Sequence, residues 1–167
     1  MFVTDRKMND VINKIRFAIK NTKFENHTYI CGGYVRDALL DIPSNDIDLV
    51  VELENGGIEL SHYLRKVGLS QIDPVDFPTF GTSKIIIDGL DIEIIQTRKE
   101  TYRHHSRKPE IIFGTLNEDV RRRDFTINSL YINISNRNII DLLNGKDDLK
   151  NKILRTTDDP NIIFEED

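Results

Sequence analysis

A single cysteine, Cys31, is all the chain has among 167 residues. No disulfide can form within it, which fits a reducing compartment and a cytoplasmic place. The first residues, MFVTDRKMND, carry no apolar run of the secretory kind. No stretch approaches the ~20 apolar residues a spanning helix needs, so no membrane partner is expected. Internal repeats and low-complexity blocks are also missing. Positive charge is in the minority: 23 Lys and Arg face 28 Asp and Glu, a formal net charge of −5. Taken over the whole chain, that balance opposes a strong nucleic-acid binder. What remains is one domain of ordinary size, 38% hydrophobic and 31% charged, the composition of a soluble globular protein.

Met8, Val11, Ile12, Ile15, Ala18 and Ile19 recur at helical spacing and predict an amphipathic helix over residues 5–21. A short strand at 29–31 ends in Gly32-Gly33. A helix over 34–40 follows, which Pro43 cannot prolong. Residues 47–53 read as a strand broken by Gly56-Gly57. Leu60, Tyr63, Leu64 and Val67 mark a second helix, stopped at Gly68. Strands at 82–87 and 90–96 meet at Asp88-Gly89, a strong hairpin signal. Residues 97–110, TRKETYRHHSRKPE, have no periodicity and read as an exposed, mobile loop. Residues 115–129 read as a helix opened by a capping box, Thr115 with Glu118. Strands at 130–134 and 138–142, a short charged helix and an acidic end complete the chain. Mixed elements with antiparallel neighbours predict an α+β fold, a largely antiparallel sheet flanked by helices.

The chemistry begins at Asp46 and Asp48, in the stretch NDIDLV. Residues i and i+2 of a strand share a face, so these carboxylates would sit side by side. Like charges that close repel unless a proton or a cation intervenes. Magnesium prefers such hard oxygen donors, with phosphates and waters completing its shell. Gly32-Gly33 before a helix lets backbone N–H groups approach an anion, and Arg36 offers a planar fork. Together these describe a nucleoside triphosphate site. A third acid should come from the strand at 90–96, where alternation leaves Asp91 and Glu93 equally open. The run DVRRRDFTINSL sets three arginines on one turn, too many for all of them to pair internally, ahead of Asp124 and Asn128. A basic turn followed by an amide suits a triphosphate and a sugar. His104-His105 finds no further Cys or His cluster to complete a zinc site.

The stretches GGYVRDALL…NDIDLVV, EIIQTRKETY and RRRDFTINSLYIN resemble the head domain of class II CCA-adding tRNA nucleotidyltransferases and bacterial poly(A) polymerases. That family lies within the DNA polymerase β-like superfamily. The resemblance covers roughly residues 28–167. It implies that Gly32, Gly33 and Arg36 contact the triphosphate, with Asp37 as a structural partner. It makes Asp46 and Asp48 metal ligands for two Mg2+ ions, and selects Glu93 as the third catalytic acid. Arg122, Arg123, Asp124 and Asn128 would hold triphosphate and ribose. Residues 98–108 would be a flexible loop, with Arg98, Lys99, Arg103, Arg107 and Lys108 meeting RNA or phosphate. Ser129 stands where many relatives have alanine.

The implied reaction transfers CMP or AMP from CTP or ATP to the 3′ end of tRNA or another RNA. The implied division is an N-terminal helix (1–22), a catalytic head (23–143) and a connection toward a neck (144–167). Glu166-Asp167 match the start of a base-selecting E-D-x-x-R motif whose arginine is not in this sequence. A head truncated before its neck is therefore expected, weakly active or inactive without neck, body and tail or a partner chain. A poly(A) or A-adding head and the nucleotide-binding half of a split enzyme are the alternatives. A small transferase that modifies a protein or antibiotic is opposed by R-R-D-x-x-x-N.

Overall fold

The apolar spacing at the N-terminus does what it dictates: α1 runs Arg6–Ile19 and buries Met8, Val11, Ile15 and Ile19. The computed structural model describes residues 6–44, 46–102 and 109–159, with backbone alone at 100–102, 109 and 110. Arg103, His104, His105, Arg107, Lys108, Glu166 and Asp167 lie outside the described residues. After α1 come β1 (Thr28–Cys31), α2 (Gly33–Leu39), β2 (Ile47–Val51), α3 (Gly56–Lys66) and β3 (Val75–Phe77). Next are β4 (Thr82–Ile87), β5 (Leu90–Gln96), β6 (Arg98–Tyr102), β7 (Pro109–Phe113) and α4 (Leu116–Arg121). Then come β8 (Leu130–Asn133), β9 (Ile139–Asp141) and α5 (Gly145–Lys150).

Among the described residues, seven strands form one sheet in the order β3-β4-β5-β2-β1-β8-β9, and β6 with β7 makes a separate ribbon. Every pairing is antiparallel except β2 with β5. The fold is α+β, as the mixture of elements predicts. Asp88 and Gly89 turn the β4–β5 hairpin with φ of 50° and 79°, the paired positive φ of a tight hairpin.

Side-chain alternation splits the sheet into two unlike faces. One face sends Ile30, Leu49, Val51, Ile85, Ile92 and Ile94 into a core shared with α1 and with Leu60 and Leu64 of α3. The other presents Tyr29, Cys31, Val50 and Tyr131, covered by Leu116 and Val120 of α4. On this second face Lys84, Glu93, Asp48, Cys31 and Tyr131 stand opposite one another in a single row across β4, β5, β2, β1 and β8. The row runs from exposed charge to buried hydroxyl, and it locates the site.

Four features depart from the sequence expectation. The helix read over 115–129 ends at Arg121. Its capping box forms, but Phe125 is extended and bridges to Thr156, while Thr126 N–H donates to the Arg155 carbonyl. Tertiary pairing there outcompetes the helix. Part of the expected loop over 97–110 is the β6–β7 ribbon, whose ladder pairing needs no apolar pattern. Gly56 and Gly57 open α3 instead of merely breaking a strand. β3, a three-residue edge strand, was not legible at all.

Candidate nucleotide-binding site

β2 carries Asp48 in the strand, while Asp46 precedes it and is exposed. Parallel pairing sets Glu93 of β5 directly opposite Asp48. Asp91 lies two pairs farther out, opposite Ile86. Register thus separates two acids that alternation alone cannot. Burial first, then Glu93 and Asp46, push the Asp48 carboxyl above the usual carboxylate range. Among the described residues, no three Asp, Glu, His or Cys side chains converge closely enough to hold one ion. Asp48 and Glu93 share a face, and both Glu93 and Asp46 repel the Asp48 carboxylate. Their donor set is carboxylate oxygen throughout, the chemistry a hard divalent cation prefers, so the residues fit such an ion.

A glycine turn meets these acids. Gly32 has φ of 73°, a backbone position that side chains rarely adopt. A Cβ there would stand 3.8 Å from Asp48 Oδ2, which places the turn beside the carboxylate. On α2 the Arg36 guanidinium donates to Asp37 Oδ1 at 2.9 Å and to Asn128 Oδ1 at 2.8 Å. Asn128 in turn donates to Asp124 Oδ1 at 3.3 Å. The fork is held from two sides and keeps further N–H groups for an anion.

Gly32, Gly33, Arg36, Arg122, Arg123, Asp124 and Asn128 line one open cleft of about 360 Å³. These are the seven residues expected to contact nucleotide, drawn from two stretches some ninety residues apart. Arg122 and Arg123 do not hang free, however. Both donate to the buried carboxylate of Asp119, at 3.1 Å and 3.0 Å. Arg123 also donates to the Tyr131 hydroxyl at 2.9 Å, and its guanidinium lies over that ring. Two of the three consecutive arginines therefore pair internally, within a sequence reading that excludes only the pairing of all three. One buried acid serves both.

Asp119 is the organising group that sequence reasoning missed. It accepts from Arg122, Arg123, Tyr131 and the Arg98 backbone. Burial alone would raise its carboxyl; Arg123 and then Arg122 outweigh that and hold it low. The signal was present as D-x-x-R-R, which sets an acid three and four residues before two cations on a helix. Arg98 opens β6 beside this acid. Lys99 is ion-paired with Glu118 at 3.3 Å. Cys31 is a buried thiol between Asp48 and Arg123; burial above all pushes it up to about 11, so it is inert near neutrality.

Carboxylates on one strand mouth, a glycine turn beside them and a held guanidinium across the cleft make a candidate site for a polyphosphate with a cation. The chain belongs to the family of the poly(A) polymerase head domain, whose profile matches residues 28–155. An A-adding tRNA nucleotidyltransferase of Aquifex aeolicus (strain VF5) is 39% identical over 130 residues, covering 76% of this chain and 15% of that protein. A CCA-adding enzyme solved in an apo form superimposes with a TM-score of 0.81 at 29% identity, over 98% of this chain and 38% of its own. A tRNA nucleotidyltransferase solved with a primer tRNA and an incoming ATP analog gives 0.63 at 37% identity, over 79% and 36%. The chain thus spans less than half the length of these relatives.

Proposed function

We propose that the chain is the catalytic head of a tRNA nucleotidyltransferase, moving CMP or AMP from CTP or ATP onto an RNA 3′-hydroxyl. The observation that carries this reading is a shared edge. The cleft of Gly32, Arg36, Arg122 and Asn128 meets the acid row at Asp48. In the reaction the RNA 3′-oxygen bonds to the α-phosphorus. The bond from that phosphorus to the β-phosphate oxygen breaks, pyrophosphate leaves and the hydroxyl proton passes to solvent. Two Mg2+ ions held by Asp46 and Asp48, with Glu93 as third acid, would supply charge stabilisation when bound.

The chain's own groups do the positioning. The Gly32–Gly33 turn accepts the phosphates at the start of α2. Arg36, held by Asp37 and Asn128, orients them, and Arg122, held by Asp119, neutralises their far side. Asn128 and Asp124 stand where a ribose hydroxyl would complete their hydrogen bonds. Fixed dipoles and charges of this kind lower the barrier without reorganising.

The relatives' own names support tRNA as the acceptor. They include both CCA-adding and A-adding enzymes, so addition of A alone is the second reading. Neck, body and tail regions would supply base selection and the tRNA grip. Arg98, whose backbone N–H donates to Asp119, is read as a contact for RNA or phosphate, while Lys99 is paired with Glu118. No helix among the described residues is long and apolar enough to cross a membrane, and a cytoplasmic place suits the reaction.

The test is radiolabelled CTP and ATP incorporation, into tRNA lacking its 3′ CCA and into tRNA ending in CC. The chain is assayed alone and together with a neck–body partner. Incorporation with the partner, lost in Asp46→Ala and Asp48→Ala, is expected. Full activity in either variant sinks the assignment.

A further inference from the structure

Beside the acid row, β3 and the turn that follows it expose two large rings. Phe77 is 39% and Phe80 54% exposed. With Lys84, Glu93 and Arg98 they line an open cleft of about 350 Å³. It shares no lining residue with the Gly32–Asn128 cleft. The acids lie between the two: Glu93 lines one, and Asp48 stands beside Gly32 of the other. Phe77 and Lys84 project from the acid-bearing face, by their register with Thr82 and Glu93. The Lys84 ammonium sits 5.8 Å from the Phe77 ring centroid. Exposed aromatics on an edge strand are an association hazard that proteins normally cover or charge. Here they border the reaction centre.

We propose that this cleft seats the 3′-terminal nucleotide of the acceptor RNA, its base against Phe77 and Phe80 and its phosphate toward Lys84 and Arg98. This assignment rests on the transfer reading above and adds where the acceptor lies. The 3′-hydroxyl then reaches the acids from the Glu93 side, while the triphosphate reaches them from the glycine turn. The two reactants meet across Asp48 without competing for one cleft. Aromatic faces accept any base by stacking, and cations beside them track a phosphodiester. An uncharged apolar peptide would offer the Lys84 ammonium no anion. A second triphosphate would find no glycine turn in this cleft.

The test is a binding titration of the whole chain, in magnesium, with a short RNA carrying 2-aminopurine as its 3′-terminal nucleotide. Stacking quenches that base. Quenching is expected on binding, with Phe77→Ala and Phe80→Ala each abolishing part of it and weakening affinity about tenfold. Phe77→Tyr and Phe80→Tyr keep both effects, which separates stacking from damage to the fold. Lys84→Ala weakens binding, keeps the quenching and shallows the salt dependence. Failure to bind the RNA, or equal affinity and quenching in both alanine variants, overturns the assignment. Calorimetric titration with CTP reads the other cleft separately. Quenched RNA without CTP binding supports the platform and sinks the transfer reading. CTP binding and transfer with an unchanged RNA KM in both alanine variants sinks the platform alone.

Discussion

At single residues, the site works against the fold at one acid and with it at another. Burial, Glu93 and Asp46 raise the Asp48 carboxyl. A carboxyl raised in the folded state makes that state bind more protons than the unfolded chain. Stability therefore falls as pH climbs from the unfolded value through the raised one, and the full cost is present at neutrality. Asp48→Asn removes it. In chelator the variant should melt above the parent at pH 7, with the gap closing toward pH 4. Equal melting at pH 7 would count against the repulsion. Asp119 has the opposite sign. Its carboxyl is raised by burial but held below the usual range by Arg123 and Arg122. Its contribution is present above the unfolded value and is lost as pH falls through the folded one. Asp119→Ala strands two guanidinium groups and the Tyr131 hydroxyl. Urea unfolding should show a loss of about 3–5 kcal/mol, and CTP should bind more weakly as Arg122 loses its anchor. The residue types at both positions were legible in the sequence. Their relation was not, because a carboxylate shared by two arginines depends on which helix face turns inward.

At the scale of elements, legibility followed periodicity. α1, the β4–β5 hairpin and the Thr115 capping box announce themselves through apolar spacing, Asp-Gly and a Thr–Glu pair. The β6–β7 ribbon does not, since its register is fixed by backbone pairing and its Lys99 is tied to Glu118. The end of α4 was missed because the chain beyond it is held from afar, by Thr156 and Arg155. The glycine pair at the start of α3 looked like punctuation and is a packing contact. A Cβ on Gly57 would stand 2.7 Å from the Ile94 carbonyl oxygen and 2.9 Å from Gln96 N, both backbone atoms of β5. Backbone cannot swing aside as a side chain can, so α3 would have to lift from the sheet. Gly57→Ala should cost about 1–3 kcal/mol despite the better helix propensity of alanine. Because β5 carries Glu93, the same variant should also weaken transfer. A neutral or stabilised Gly57→Ala protein would show that α3 rides higher on the sheet.

For the molecule as a whole, the acid pair, the glycine turn and R-R-D-x-x-x-N could be read in sequence but not seen to be one place. Topology does that. β1 ends at the glycine turn, β2 beside it carries Asp48, and the Phe125–Asn128 segment returns to meet Arg36. The net charge of −5 conceals this, because the acids cluster at one strand mouth while Arg36, Arg122 and Lys84 ring it. Such a site should couple ligand binding to global stability. A nucleotide bound to the native state alone, at a hundred times its Kd, adds about 2.7 kcal/mol. For a chain of this size that is a rise of about 5–10 °C in Tm. CTP or ATP with magnesium should produce it. Nucleotide in chelator should produce much less, because the phosphates would then face Asp46, Asp48 and Glu93 uncompensated. Arg36→Ala should lose most of the shift and Phe80→Ala should keep it, since the two residues line different clefts. A shift that persists in Arg36→Ala would place the nucleotide elsewhere on the molecule.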